Sequence, residues 1–330
     1  MGTDKRRKKV LQFLIRVYLC HQWLISFVFS ASSRFKFFGL TMRLLITADL
    51  HYNHARSKTV ADDLIDRINA QQFDVLILVG DTAVADGDSL EKCLVKFNFP
   101  GPKLFVAGNH ELWTHSDDSY AIFTQSLPER VKNLGWHWLE GNPFIAGEVA
   151  IVGSVGWYDY SFAVKELGIP NRFYAAKVSP GAAERFTQFA GLFDQTDDIL
   201  PIAREIIARW NDGKFIKLHR SDEMFLQELL DSLHQQLTSV AAIPHVVACI
   251  HHLPFRELLP PPHSAQWDFV KAYLGSQRIG QLLLAFENIK HVFCGHSHLP
   301  MEKEIAGIKA VNIGSGYRHK TYKILTIPTG

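Results

Sequence analysis

The sequence predicts an α/β protein built on a largely parallel sheet with helices on its outer face. Three observations predict it. From Met42 onward, short apolar runs rich in β-formers alternate with helical patterns; the helical patterns are long enough to serve as crossovers; and the runs end in polar or Gly-containing turns.

Leu44–Ala48, Asp74–Val79 and Leu104–Ala107 read as the first three strands. Between the first two, Val60, Leu64 and Ile68 recur every four residues, which marks one face of a helix entered from Ser57. Ser89–Phe97 supplies a shorter second crossover, so the order β-α-β-α-β implies right-handed connections and parallel pairing. Val149–Val155 is another strand, followed by the aromatic run Gly156-Trp157-Tyr158-Asp159-Tyr160. Residues 163–220 are the least regular part, punctuated by Ile169-Pro170 and Ser179-Pro180-Gly181, with a helical pattern over Pro201–Trp210; they read as an inserted, mainly helical cap. Ser221 opens a long amphipathic helix whose Phe225, Leu226, Leu229, Leu230, Leu233 and Leu237 share a core-facing stripe. His245–Ile250 and His291–Cys294 are strands separated by the Pro260-Pro261-Pro262 loop and a helix around Ile279–Phe286. Short strands near Lys309–Ile313 and Thr321–Ile327 finish the chain.

Residues 42–330 are thus expected to form one domain with an insertion at about 163–220. Residues 1–41 differ: a basic cluster, Lys5 to Lys9, precedes an apolar stretch from Val10 to Ala31 that Arg16 and His21 interrupt. A bilayer span needs ~20 apolar residues, so this one is marginal. The expectation is an upstream extension with translation starting at Met42, a targeting segment or membrane anchor being the alternative.

Hydrophobic residues make up 47% and charged residues 21%, which argues against disorder. Thirty-five basic and 33 acidic residues leave a formal charge of +2, so nucleic acid is compatible with the chain but not indicated by its charge. The oligomeric state stays open. Four cysteines, with no C-x-x-C pair, fit a reduced cytoplasmic protein. Cys249 and Cys294 each stand two positions before a candidate ligand histidine, and strand packing is expected for them rather than thiolate coordination.

Five chemical clusters begin where predicted strands stop: Asp49-Leu50-His51, Gly80-Asp81, Gly108-Asn109-His110-Glu111, His251-His252-Leu253-Pro254 and Gly295-His296-Ser297-His298. Strand carboxyl ends are where open α/β sheets bind ligands. Singly, each cluster has a plain reading as a helix cap, a turn or a hydrogen-bonded histidine. Jointly, two Asp, one Asn and four His supply hard oxygen and borderline nitrogen donors suited to Mn²⁺, Fe or Zn²⁺.

The order D-x-H, G-D, G-N-H-E, H-x-x-P and G-H-x-H resembles the calcineurin-like metallophosphoesterase family, from Met42 to about Asn312. The resemblance implies a four-layer α-β-β-α sandwich of two mixed sheets, with two divalent or trivalent transition-metal ions at the sheet ends. By motif, Asp49, His51 and His298 would hold one ion, Asn109, His251 and His296 the other, and Asp81 would bridge them. His110 would face the substrate, oriented by Glu111, and give a proton to the leaving alkoxide after in-line attack by a metal-activated hydroxide. The sequence departs from the family in two places: Val84 stands where many members carry the last Asp of G-D-x-x-D, the next acid being Asp86, and Glu111 replaces the commoner Asp.

The substrate is left as a small phosphomonoester or phosphodiester. Trp157, Tyr158, Asp159, Arg172, His263, Tyr317 and Arg318 are candidates for the cleft wall, each with a structural role as the plainer expectation. A non-catalytic protein-binding scaffold and a metallohydrolase acting on other esters are the alternatives.

Overall fold

The computed structural model describes residues 41–115 and 118–329. The expectations for residues 1–41 fall, apart from Thr41, outside this range. Among the described residues no helix is long and apolar enough to cross a membrane.

Two mixed sheets stack face to face. Strands β1 (Thr41–Thr47), β2 (Val75–Val79), β3 (Lys103–Val106) and β4 (His137–Trp138) run parallel, and β11 (Tyr322–Pro328) closes the first sheet antiparallel to β1. In the second sheet β6 (Val149–Ser154), β7 (His245–Ile250), β8 (Ile289–Cys294) and β10 (Ile308–Asn312) run parallel. Antiparallel β5 (Phe144–Ala146) and β9 (Met301–Ile305) flank them.

Period-two alternation explains the layers. Leu44, Ile46, Val75, Ile77, Val79, Val247 and Cys249 meet between the sheets. Their neighbours Leu45, Leu76, Leu78, Val246, Ala248 and Ile250 face outward into a helix-covered core. On the first sheet that cover is α1 (Ala55–Asn69) and α2 (Ser89–Leu94); on the second it is α3 (Asp222–Ser239) and α4 (Gln277–Leu284). With ~1.5–3 kcal/mol gained for each large aliphatic side chain buried, both faces of each sheet contribute to stability. The result is the four-layer α-β-β-α sandwich.

Cys93, Cys249 and Cys294 are buried free thiols, and burial pushes all three upward, so they stay protonated as packing residues. Ser221 does cap α3, accepting from the Met224 N–H at 3.2 Å, and every residue of the expected apolar stripe is buried.

Three expectations are corrected. Helix α1 begins at Ala55 instead of Ser57, because the Ser57 hydroxyl is buried and donates to the Tyr317 carbonyl, 3.0 Å away, rather than capping. The helical pattern over Pro201–Trp210 folds as a helix only over Pro201–Glu205. Beyond it Ser179 binds the chain in extended form, its N–H reaching the Ala208 carbonyl at 3.0 Å and its hydroxyl the Ile206 carbonyl at 2.6 Å. Strand β9 was not foreseen, since Met301-Glu302-Lys303-Glu304-Ile305 carries the charges that protect a sheet edge instead of an apolar run.

The insertion has a small core of its own, formed by Phe173, Val178, Ala182, Ala183, Ile199 and Ala203. Its last turn, Asp212–Phe215, reaches back to the sheet ends.

Candidate metal centre

The parallel strands β1, β2, β3, β7 and β8 end together, and the residues that follow them converge. Asp49, His51, Asp81 and His298 present ligand atoms all within 4.8 Å of one another, and so do Asp81, His251 and His296. Asp81 belongs to both groups. The backbone there is unusual: Asp49, His51, Asp81, His296 and His298 have φ of 56°, 45°, 54°, 68° and 57°. Left-handed backbone costs a non-glycine residue about 1 kcal/mol or more, so five such residues in one place are held by their surroundings. Hydrogen bonds do this: the Asp49 N–H donates to the Gly80 carbonyl at 2.9 Å, and the His51 N–H to the Asp81 carbonyl at 2.8 Å. Gly80 makes room, since a Cβ there would meet His251 Nδ1 at 2.2 Å.

Each imidazole is aimed. His251 Nδ1 lies 3.0 Å from the Val79 carbonyl and donates to it, which turns Nε2 toward Asp81 Oδ1, 3.3 Å away. His296 Nδ1 lies 3.2 Å from that same Nε2. On the other side His51 Nε2 and His298 Nε2 are 2.9 Å apart, with Asp81 Oδ2 3.7 Å from the former and Asp49 Oδ1 3.6 Å from the latter. Asn312 holds the Gly295–His298 turn, its amide donating to the Gly295 carbonyl at 2.7 Å and the Ser297 hydroxyl at 2.9 Å.

These donors fit transition-metal ions. Burial pushes His51 and His296 well below the ordinary histidine value and His298 down to about 4, which favours the neutral form that binds a metal. Burial, assisted by Asp81, pushes Asp49 up to about 7, while burial of His251 is outweighed by Asp81 and Asp49, which push it up to about 9. A buried centre that raises a carboxylic acid and draws a proton onto an imidazole is short of positive charge. Asp49 Oδ2 and Asn109 Oδ1 are moreover buried acceptors without a hydrogen-bond partner among the described residues.

Asn109 shows why its oxygen points inward. Its Nδ2 donates to Asp212 Oδ1 at 2.8 Å, which leaves the carbonyl free. Asp212 is fully buried and also accepts from Trp113 Nε1 at 2.7 Å, Trp210 Nε1 at 2.7 Å and the Tyr158 hydroxyl at 2.9 Å. Sequence reasoning missed it: a lone Asp in an irregular insertion carries no motif. Lys320, also missed, donates from its buried ammonium to the Asp49 carbonyl.

The third cluster divides. His110 lines the cleft, its ring stacked on Trp113 at 3.7 Å and its Nε2 3.9 Å from Asp81 Oδ2; burial lowers its pKa. Glu111 does not orient it, and this expectation is corrected. The Glu111 carboxylate turns away from the cleft and accepts the backbone N–H groups of Asp81, Thr82, Ala83 and Gly108, at 2.9, 2.6, 2.9 and 2.6 Å. Burial and Asp81 raise its pKa against these donors, which favour the ionised form. Glu111 therefore shapes the turn that presents Asp81.

The chain matches a known family model, described as calcineurin-like phosphoesterase, over residues 42–300. The chain belongs to the calcineurin-like phosphoesterase family. No curated protein matches it in sequence. Among solved structures it is similar to the phosphopantetheinyl hydrolase PptH from Mycobacterium tuberculosis, with a TM-score of 0.60 and 19% identity over 85% of this chain and 91% of that one. It is also similar to a dimetal phosphatase from Danio rerio, with a TM-score of 0.49 and 13% identity over 88% and 99%. The first of these likenesses supports the fold.

Within this family frame, the departures are accommodated. Asp86 accepts from the Thr114 hydroxyl and the His115 N–H, both at 2.8 Å, tying down the loop after His110. Of the residues considered for the cleft wall, only Tyr317 lines it, with its ring stacked on His51 at 4.6 Å. Trp157 and Tyr158 are core, Asp159 accepts from the Ser276 hydroxyl at 2.8 Å, and Arg172 pairs with Asp198 at 2.5 Å. His263 and Arg318 are exposed and do not line the cleft. His252 is buried behind the site, its Nδ1 2.9 Å from the Val155 carbonyl, and burial with His251 pushes it down to about 3.

Proposed function

We propose that the chain hydrolyses a small phosphate ester, monoester or diester, at two transition-metal ions: one held by Asp49, His51 and His298, the other by Asn109, His251 and His296, with Asp81 shared. The observation that carries this reading is the membership of Asp81 in both groups of converging donors. When bound, two such cations neutralise phosphoryl charge and activate a water for in-line attack. The protein's own contribution is positioning. Asp212 fixes the Asn109 amide, Glu111 fixes the Asp81 turn, and the Val79 carbonyl fixes the His251 tautomer.

His110, at the cleft wall, is the proton donor to the departing alkoxide. A phosphoryl group beside the ring favours its protonated form, offsetting the burial that lowers its pKa. A non-catalytic scaffold is disfavoured because no ligand-type residue is replaced. Manganese, iron and zinc all suit the donor set. Buried free thiols fit a reducing, cytoplasmic setting.

The test is a hydrolysis panel on metal-replete protein with matched phosphomonoester, phosphodiester, carboxylic ester and lactone. Turnover of a phosphate ester, lost on chelation and restored by Mn²⁺ or a similar ion, is expected; turnover confined to the carboxylic ester or lactone refutes the proposal.

A further inference from the structure

The cleft over the metal donors has a volume of about 200 Å³ and is walled on the substrate side by aromatic and aliphatic side chains, with no Lys or Arg among the described residues that line it. Four of the lining rings are Trp113, Trp210, Trp267 and Tyr317. Two of them are already engaged. Trp113 stacks against both His110, at 3.7 Å, and Phe215, at 4.9 Å, while Tyr317 stacks on His51 and has Arg56 over its ring at 4.5 Å.

Trp210 and Trp267 are different. Trp210 is stacked on Tyr273, with planes 2° apart and centroids at 5.3 Å, and its indole N–H ends on the buried Asp212 carboxylate, so the ring is held rigidly with one face covered. Trp267 is 52% exposed although it lines the cleft. It stands on the short helix Ala265–Val270, whose first turn the Ser264 hydroxyl caps by accepting the Trp267 N–H at 3.3 Å. An indole left half in water at the mouth of a cleft gains by being covered, and a rigid one opposes a flat partner at little entropic cost.

We propose that the cleft takes the organic part of the ester as a flat, uncharged ring, stacked on Trp210 and Trp267. The inference rests on the phosphoesterase reading and adds the substrate class to it. A second phosphate or a carboxylate on that group would find no Lys or Arg among the described residues that line the cleft.

Benzyl phosphate and ethyl phosphate both release an alkoxide, so they compare the ring with little change in leaving-group chemistry. On the full chain loaded with Mn²⁺, kcat/KM is expected to favour the benzyl ester by about 10-fold, the scale of one or two aromatic stacking contacts. Isothermal calorimetry with benzylphosphonate and ethylphosphonate should show a similar preference without turnover. Trp267→Ala, at an exposed position, should bring both ratios toward one. The 4-carboxybenzyl ester, which adds a charge to the same ring, should lose the advantage. Equal binding of the two phosphonates, or a preference that Trp267→Ala leaves intact, overturns the inference. Failure to hydrolyse any phosphate ester instead refutes the phosphoesterase reading, and calorimetry still decides whether the ring is bound.

Discussion

Replacing Asp81 with alanine is expected to abolish phosphate-ester hydrolysis, by at least about 10³-fold, since a single electrostatic group in a preorganised site already contributes ~10²–10³. Metal content should fall at both positions together. The reason is geometric: Asp81 Oδ1 lies 3.3 Å from His251 Nε2 and Oδ2 lies 3.7 Å from His51 Nε2, so its two oxygens face the two donor groups separately. The same carboxylate accepts the His110 backbone N–H at 2.9 Å, so its loss also loosens His110. Elemental analysis checks the prediction. A variant that keeps one ion fully bound and loses only the other would place Asp81 at a single metal.

His110→Ala is expected to keep both metals and to lower turnover by ~10²–10⁴-fold on esters whose alkoxide needs a proton. The ring lies beside Asp81 and lines the cleft, but it belongs to neither group of converging donors. A nitrophenolate departs readily as an anion, so the deficit on a nitrophenyl ester should be much smaller than on an alkyl ester of the same phosphate. Equal deficits along a leaving-group series would make His110 a phosphate-binding residue. Loss of metal in the variant would make it a ligand or the support of one.

Much of this architecture was legible in the sequence because the signals were local. Short apolar runs located the parallel strands other than β4, and the same strand ends carried the seven ligand-type residues that the fold then gathers. Where apolar content and period agreed, as in the stripe from Phe225 to Leu237, the helix and its buried face were both read correctly. Elements stabilised by distant partners were not legible. The chain after Glu205 is drawn out of helix by Ser179, and β9 exists as a charged edge whose register is set by β10. The site shows the same division. Ligand types can be read from motifs, whereas Asp212 acts through hydrogen bonds to Asn109, Trp113 and Tyr158, 54 to 103 residues away, and to Trp210, two residues before it. Glu111 was placed in the right cluster and given the wrong task. Its carboxylate meets four backbone N–H groups of two loops, a contact that depends on how β2 and β3 lie side by side.

The central claim is that one buried centre binds two ions with Asp81 between them. Crystals grown with Mn²⁺ and measured for anomalous scattering test it most directly. Two peaks ~3.5–4 Å apart are predicted, both touching the Asp81 carboxylate, one flanked by Asp49, His51 and His298 and the other by Asn109, His251 and His296. A single peak, or a pair that Asp81 does not join, would contradict the account.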